Sequence, residues 1–205
     1  MPAPTYTLTL VRGKTLAQPL QYAESFLLYR PITAVTSVAP LRVSVAAHGI
    51  PDGWPVRIQG VSTPSEMNTP TDEYWPAHLV SSNEIEINAL DLSAAAAYVA
   101  GGNVVFQQPA DITGWVFRMH IRNGIGTGST VLLSLSSDPA DAADGIITVE
   151  PEASTFVLHL TAAQTEAITW KGAQYDIEAV LPTGEVVAVI APSIVVVEQE
   201  VTVWV

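Results

Sequence analysis

The stretch Asp-Ile-Thr-Gly-Trp-Val-Phe-Arg-Met-His-Ile-Arg, residues 111–122, constrains the fold of this chain more than any other. Trp115, Phe117, Met119 and Ile121 alternate with Val116, Arg118, His120 and Arg122. A period of two places large apolar groups on one face and mostly polar groups on the other, which predicts a half-buried β-strand. Asp111 to Gly114 reads as the tight turn leading into it: Asp and Thr can bond local backbone, and Gly is free to take positive φ. Such a strand is stable only inside a sheet, so the rest of the chain must supply its partners.

Upstream, Tyr6–Leu10 alternates, Arg12–Thr15 is a turn, and Leu16–Leu28 resumes strand character. From Ile32 the texture changes. Ile32–Ser37, Leu41–Val45 and Val56–Val61 are short strands separated by turns such as His48–Trp54, the pattern of a small barrel or rolled sheet. Ser62–Asp72, rich in Ser, Thr, Pro, Asn and Glu, predicts a solvated loop. The Ala run within Leu90–Tyr98 predicts one or two helical turns, and Asn103–Gln107 a closing strand. Downstream of Arg122, Gly124–Gly128 is a hairpin loop returning through Thr130–Leu135, followed by strands at Ile146–Val149 and Thr155–Leu160. Thr161 and Gln164 form a capping box for a short helix running to Ile168. Ala173–Val180 and Val186–Ile190 flank the turn Leu181–Glu185, and a last strand runs from Ile194 toward Trp204. Many short strands with almost no helix make the fold class all-β.

Composition removes whole classes of function. Of the 205 residues 48% are hydrophobic and 14% charged, enough apolar content for a real core and against disorder. Eight Lys and Arg against twenty Asp and Glu give a formal charge of -12, which argues against nucleic-acid binding and against adhesion to anionic membranes. With no cysteine there are no disulfides, thiolate chemistry or Cys-based zinc sites. Residues 1–5 lack a basic region followed by an apolar core, so no secretory signal is expected. The most apolar segment, Val186–Val197, contains Pro192 and is far shorter than the roughly 20 residues of a spanning helix, so no membrane insertion is expected.

No catalytic constellation, metal site or cofactor site emerges. His48, His78, His120 and His159 sit in four separate segments without the close pairing of a zinc site. Asp138, Asp141 and Asp144 miss the spacing of a calcium loop and read as a solvated turn. Gly124, Gly126 and Gly128 lie between two antiparallel strands with no helix after them, unlike a phosphate loop. Glu84 and Glu86 share a solvated strand face, and no serine lies in a nucleophile elbow. The five Trp carry more. Trp115 belongs to the core, whereas Trp54, Trp75, Trp170 and Trp204 lie at turns or segment ends and, with Val203, are candidate interface anchors.

Two sets of segments resemble tailed-phage structural proteins. Tyr6–Lys14, Asp111–Arg122, Leu132–Leu135 and Tyr175–Glu178, in that order, resemble the N-terminal immunoglobulin-like domain of the phage baseplate upper protein family. Ile32–Val35, Val43–Ile50, Val56–Val61 and Tyr98–Gly102 are similar to a β-rich module of phage tail genes, named after the first catalytic cysteine half-domain of ubiquitin-activating enzymes. The chain, lacking cysteine, carries no ubiquitin chemistry with that likeness. The resemblance implies an immunoglobulin-like sandwich from 1–31 and 107–205, with a barrel-like module inserted at 32–106. It also implies a non-enzymatic virion protein made in the host cytoplasm, in the tail tip, baseplate or fibre-attachment region, contacting other virion structural proteins. A capsid decoration or head-to-tail connector and a host-surface glycan-binding module are the alternatives. The β-branched end Ile194–Val205 reads as an edge, which predicts that residues 198–205 pack on another subunit of a homo-oligomer, in a symmetric ring or trimer with Trp204 as anchor, the alternative being that this tail closes the sandwich of its own chain.

Overall fold

A computed structural model describes residues 3–70, 72–126 and 128–199. Its strands are β1 (Leu8–Val11), β2 (Leu16–Gln21), β3 (Ala23–Pro31), β4 (Ala34–Val38), β5 (Leu41–Ser44), β6 (Trp54–Val61), β7 (Trp75–Ser81), β8 (Glu84–Ile87), β9 (Gly101–Pro109), β10 (Val116–Arg122), β11 (Val131–Ser136), β12 (Gly145–Glu150), β13 (Thr155–Leu160), β14 (Gly172–Val180) and β15 (Val186–Glu198). One short helix, α1 (Ala162–Glu166), lies between β13 and β14. The protein is all-β, an immunoglobulin-like sandwich with an inserted barrel-like module.

The sandwich is one sheet of order β1-β15-β14-β10-β11-β12-β13-β2 folded into two layers. β1, β15, β14, β10 and β11 make one layer, and β12, β13 and β2 the other. Only two residue pairs, Leu135 with Gly145 and Ser136 with Ile146, join them at the β11–β12 fold, and that pairing is parallel. The alternation in β10 does what its period requires: Phe117, Met119 and Ile121 are buried. Phe117 stacks on Phe156 of β13 with ring centroids 4.4 Å apart, so the layers meet through aromatic side chains. Trp115 and Tyr22 extend that line of rings. Thr161 and Gln164 form the expected capping box, and the Thr165 hydroxyl donates to the Lys14 carbonyl at 2.8 Å, tying α1 to the β1–β2 turn.

The inserted module has order β3-β9-β6-β7-β8-β5-β4, with every pairing antiparallel. One run of chain serves both of its end strands: the Ile32 N–H donates to Gly102 beside β3, and the Thr33 N–H to Ser44 beside β4. Its own core gathers Trp54, Val56, Ile58, Met67, Ile85, Ile87, Val104 and Phe106.

Several expectations are corrected. The units divide between Tyr22 and Ala23 and between Ala110 and Asp111, not at 31/32 and 106/107, with Glu152–Ser154 belonging to the module. The reason is that β3 pairs with β9 along its length, Leu27 with Gln107 through Pro31 with Asn103. Ser62–Asp72 is not a solvated loop. It holds a one-turn 3-10 helix, Ser65–Met67, whose Met67 is fully buried, while the Asn68 side chain accepts from Val61 N–H and donates to Val61 C=O. Leu90–Tyr98 contains no helix. Four alanines cannot offset the nucleation penalty, and Leu92 and the Tyr98 hydroxyl are held by the barrel. The segments expected as two strands at Val186–Ile190 and from Ile194 are one strand, β15, and Ile194–Glu198 is no edge because β1 covers it in parallel from Val195 to Glu198.

Candidate interaction face on β10

The polar side of β10 is an exposed face of the sandwich. Arg118, His120 and Arg122 stand in a row along the strand. Register places Glu178, Asp176 and Gln174 of β14 beside them on one flank, and Ser136 and Ser134 of β11 beside Arg118 and His120 on the other. Directly opposed residues share a face, so these groups form one polar field. Two concavities open on it. One of about 450 Å3 lies between His120, Arg122, Asp176, Pro192 and the Gly124–Gly126 loop. The other, about 270 Å3, lies between Arg118, His120, Ser134 and Asp141. His120 borders both. The Arg122 guanidinium donates to the Ser129 carbonyl at 2.9 Å, which ties it to the glycine loop. Arg118 pairs with Asp141 at 3.1 Å.

Ser134, His120 and Asp176 thus lie in one cross-strand row, in the order nucleophile, base and acid. Such a row would matter if it were a bonded chain with a water-excluded oxyanion site. Among the described residues no side-chain hydrogen bond joins His120 to either neighbour. The Ser134 N–H, the nearest donor for an oxyanion, is spent on the Asp144 carboxylate at 2.8 Å. Both concavities open to solvent, so neither supplies the water-excluded site that such a chain needs. What the face can do is hold a polar partner in a fixed orientation, since exposed charges of alternating sign set register and encounter rate more than affinity.

The remaining candidates resolve individually. His48 is buried, its Nδ1 accepting from the Ile50 N–H and its Nε2 bonded to the Ser81 carbonyl. His159 bonds Thr148, and His78 stands 3.6 Å from Asp52. Glu84 accepts from the Thr36 hydroxyl, and Glu86 pairs with Arg42 at 2.6 Å. The three acidic turn residues each serve a local donor: Asp138 the Ala140 N–H, Asp141 Arg118, and Asp144 Ser134. Among the described residues no group of three or more His, Asp or Glu could hold a metal ion, and no helix is long and apolar enough to cross a membrane.

Trp54 is corrected outright. It is 1% exposed, and its indole N–H donates to the Gln107 carbonyl at 2.9 Å, so it is a core residue of the module and not an interface anchor. Trp75 packs half-buried against the same core. Trp170 is half-buried just before β14. Val203 and Trp204 lie outside the described residues, as does the predicted 198–205 contact beyond Gln199. The flanks of the β10 face were missed because Asp176 and Ser134 join His120 only through register. The sole local signal was the polar half of the β10 alternation. No protein-family model matches the chain. No curated protein matches it either.

Proposed function

We propose that the chain is a non-enzymatic structural component of a tailed-phage particle, an adaptor of the tail tip, baseplate or fibre-attachment region that joins other virion proteins. One observation carries this reading. The segments resembling the baseplate domain fall on β1, β10, β11 and β14 of one unit, whereas those similar to the tail-gene module fall on the other unit. Two likenesses thus sort onto two separately cored pieces of one chain. The polar β10 face offers such an adaptor a docking surface, and self-association into a homo-oligomer would repeat that face around an axis.

The test is location. Particles labelled with gold-conjugated antibody against the chain are expected to carry label at the tail. Label on the capsid would replace the tail assignment with the decoration reading, and absence from purified particles would end the structural assignment. Arg118→Glu together with Arg122→Glu is expected to release the protein's neighbours in the particle without unfolding the sandwich.

A further inference from the structure

We propose that the seam between β1 and β2 accepts an added strand, and that the strand is residues 200–205 of a second copy of this chain. This rests on the homo-oligomer in the adaptor reading and names the contact that makes it. β1 and β2 are the two end strands of the sandwich sheet and are joined by the turn at 12–15, so both free edges border one seam. The edge of β1 is open. The Arg12 N–H donates to the Glu198 carbonyl at 3.0 Å, which fixes the phase of the β1–β15 ladder. Backbone groups alternate sides along a strand, so Leu8 and Leu10 turn theirs toward β15, and Thr9 and Val11 turn theirs away. The Val11 carbonyl is taken by the Lys14 N–H, whereas the Thr9 N–H and C=O and the Val11 N–H bond no described residue. The interior at the seam is also incompletely covered. Leu16, Gln18 and Leu20 of β2 oppose Leu160, Leu158 and Phe156 of β13 and share their inward face. Those β13 residues are 1%, 0% and 1% exposed, yet the three on β2 are only half-buried. The seam thus lacks an element that gives backbone groups to β1 and apolar side chains to β2.

Residues 200–205 meet both demands. Val201, Val203 and Val205 alternate with Thr202 and Trp204, the period that Leu8 and Leu10 keep with Thr9. Valines in line with Leu8 and Leu10 face the half-buried leucines of β2. Thr202 and Trp204 then fall on the outer side with Thr9 and its cross-strand neighbour Val196, which is 38% exposed. Arg12 and Lys14 stand at the Val11 end of the seam, so Glu200 enters there and the added strand runs antiparallel to β1. Pro19 has no N–H to offer, so the backbone bonds go to β1 and not to β2. The segment of the same chain is too short to fill the seam. β15 lies on the other side of β1, so from Gln199 the chain must cross two strand spacings, about 10 Å, and reverse. The crossing passes the turn at 12–15, where the Arg12 side chain and the Lys14 carbonyl are bonded to α1. It uses about three residues and leaves about three to pair, whereas a second copy delivers all six.

The test uses the full chain and two variants of it. Val201→Lys with Val203→Lys spoils the donor by placing charge in the interior, and Thr9→Pro spoils the acceptor by removing an N–H that β15 does not use. Sedimentation equilibrium is expected to show self-association of the parent, weakened at least about ten-fold in either variant. Mixed, the two variants are expected to form a one-to-one complex, because one keeps the seam and the other keeps the segment. Hydrogen exchange read by NMR should show the Thr9 amide protected in the parent and exposed in the valine variant, a readout that stands even if Thr9→Pro misfolds. A parent that stays monomeric, or a mixture that forms no complex between folded variants, overturns the proposal. Protection of Thr9 in a monomeric parent overturns it too, by assigning the strand to the same chain. An oligomer that survives the valine variant is built elsewhere, which overturns the seam and leaves the homo-oligomer standing. The position of label on particles is independent of all these results.

Discussion

Gly145→Ala isolates the corner at which the sandwich turns from one layer to the other. Gly145 pairs with Leu135 across the parallel β11–β12 contact, and a Cβ built there falls 2.8 Å from the His159 carbonyl oxygen, Leu135 Cγ and Leu160 Cδ2. Favourable contacts between such atoms begin near about 3.5 Å, so roughly 0.7 Å of movement is required. The leucines can yield, but the His159 carbonyl is fixed within β13, between β12 and β2. Overpacking of this kind costs about 1–3 kcal/mol, offset by about 0.4–1 kcal/mol because alanine narrows the unfolded ensemble. The expected net loss is about 1–2 kcal/mol, or about 3–6 °C in Tm for a chain of this size. Gly128→Ala is the control, since nothing lies within 4 Å of its Cβ position. It should be neutral or slightly stabilising. Thermal melts by circular dichroism give the sign, and hydrogen exchange read by mass spectrometry should place the lost protection in β11, β12 and β13. A Gly145→Ala protein as stable as the parent would refute the reasoning, and so would equal losses in both variants.

Trp54→Phe is expected to destabilise the inserted module by about 2–4 kcal/mol, because it removes the indole hydrogen bond to the part-buried Gln107 carbonyl and leaves a void in the core; exchange protection in β6 and β9 reports it, and an intact module with lost self-association would restore Trp54 as an anchor. Burial, with a smaller contribution from Tyr6, raises the pKa of the Tyr175 hydroxyl well above its ordinary range. An unfolded tyrosine releases its proton near about pH 10 while the folded one keeps it, so this contribution is complete below that pH and declines as pH rises further. Urea midpoints from pH 8 to 11 should therefore fall more steeply for the parent than for Tyr175→Phe, and parallel slopes would remove Tyr175 as the cause. Thr161→Ala deletes the cap of α1 and should cost about 1 kcal/mol, with Thr161→Asn retaining most of it, both read from the same melts.

Local chemistry was legible where it is sufficient to decide structure. The alternation from Trp115 to Arg122, the turn Leu181–Glu185 and the Thr161–Gln164 cap each act over a few residues, and each is present. What failed was pairing. Pro31 looks like a boundary, yet the chain passes directly from β3 to β4 and merely exchanges partners, from Gly102 to Ser44. Nothing within Ala23–Pro31 states that its mate is β9. Met67 and Asn68 were hidden by polar neighbours although one fills the core and the other substitutes for a strand partner at Val61. Trp54, between Gly53 and Pro55, carried turn signals on both sides, but the first residue of a strand already has a face, and its face is inward. At the candidate face, Arg118, His120 and Arg122 were readable from one strand, whereas Asp176, Ser134 and Asp141 depend on neighbours distant in sequence.

The parallel pairing of β1 with β15 has a mechanical meaning. Leu8 faces Val195 and Val11 faces Glu198, so β1 begins at one end of this pair and β15 finishes at the other. Tension applied before Leu8 and after Glu198 pulls the two strands lengthwise past each other, and all their hydrogen bonds must yield together. An antiparallel pair loaded from one end would instead open bond by bond. The inserted barrel carries none of this force while the pair holds, because its entry and exit strands are bonded to each other from Ala23–Pro109 onward. A chain so built resists stretching at the β1–β15 pair and spares the inserted module.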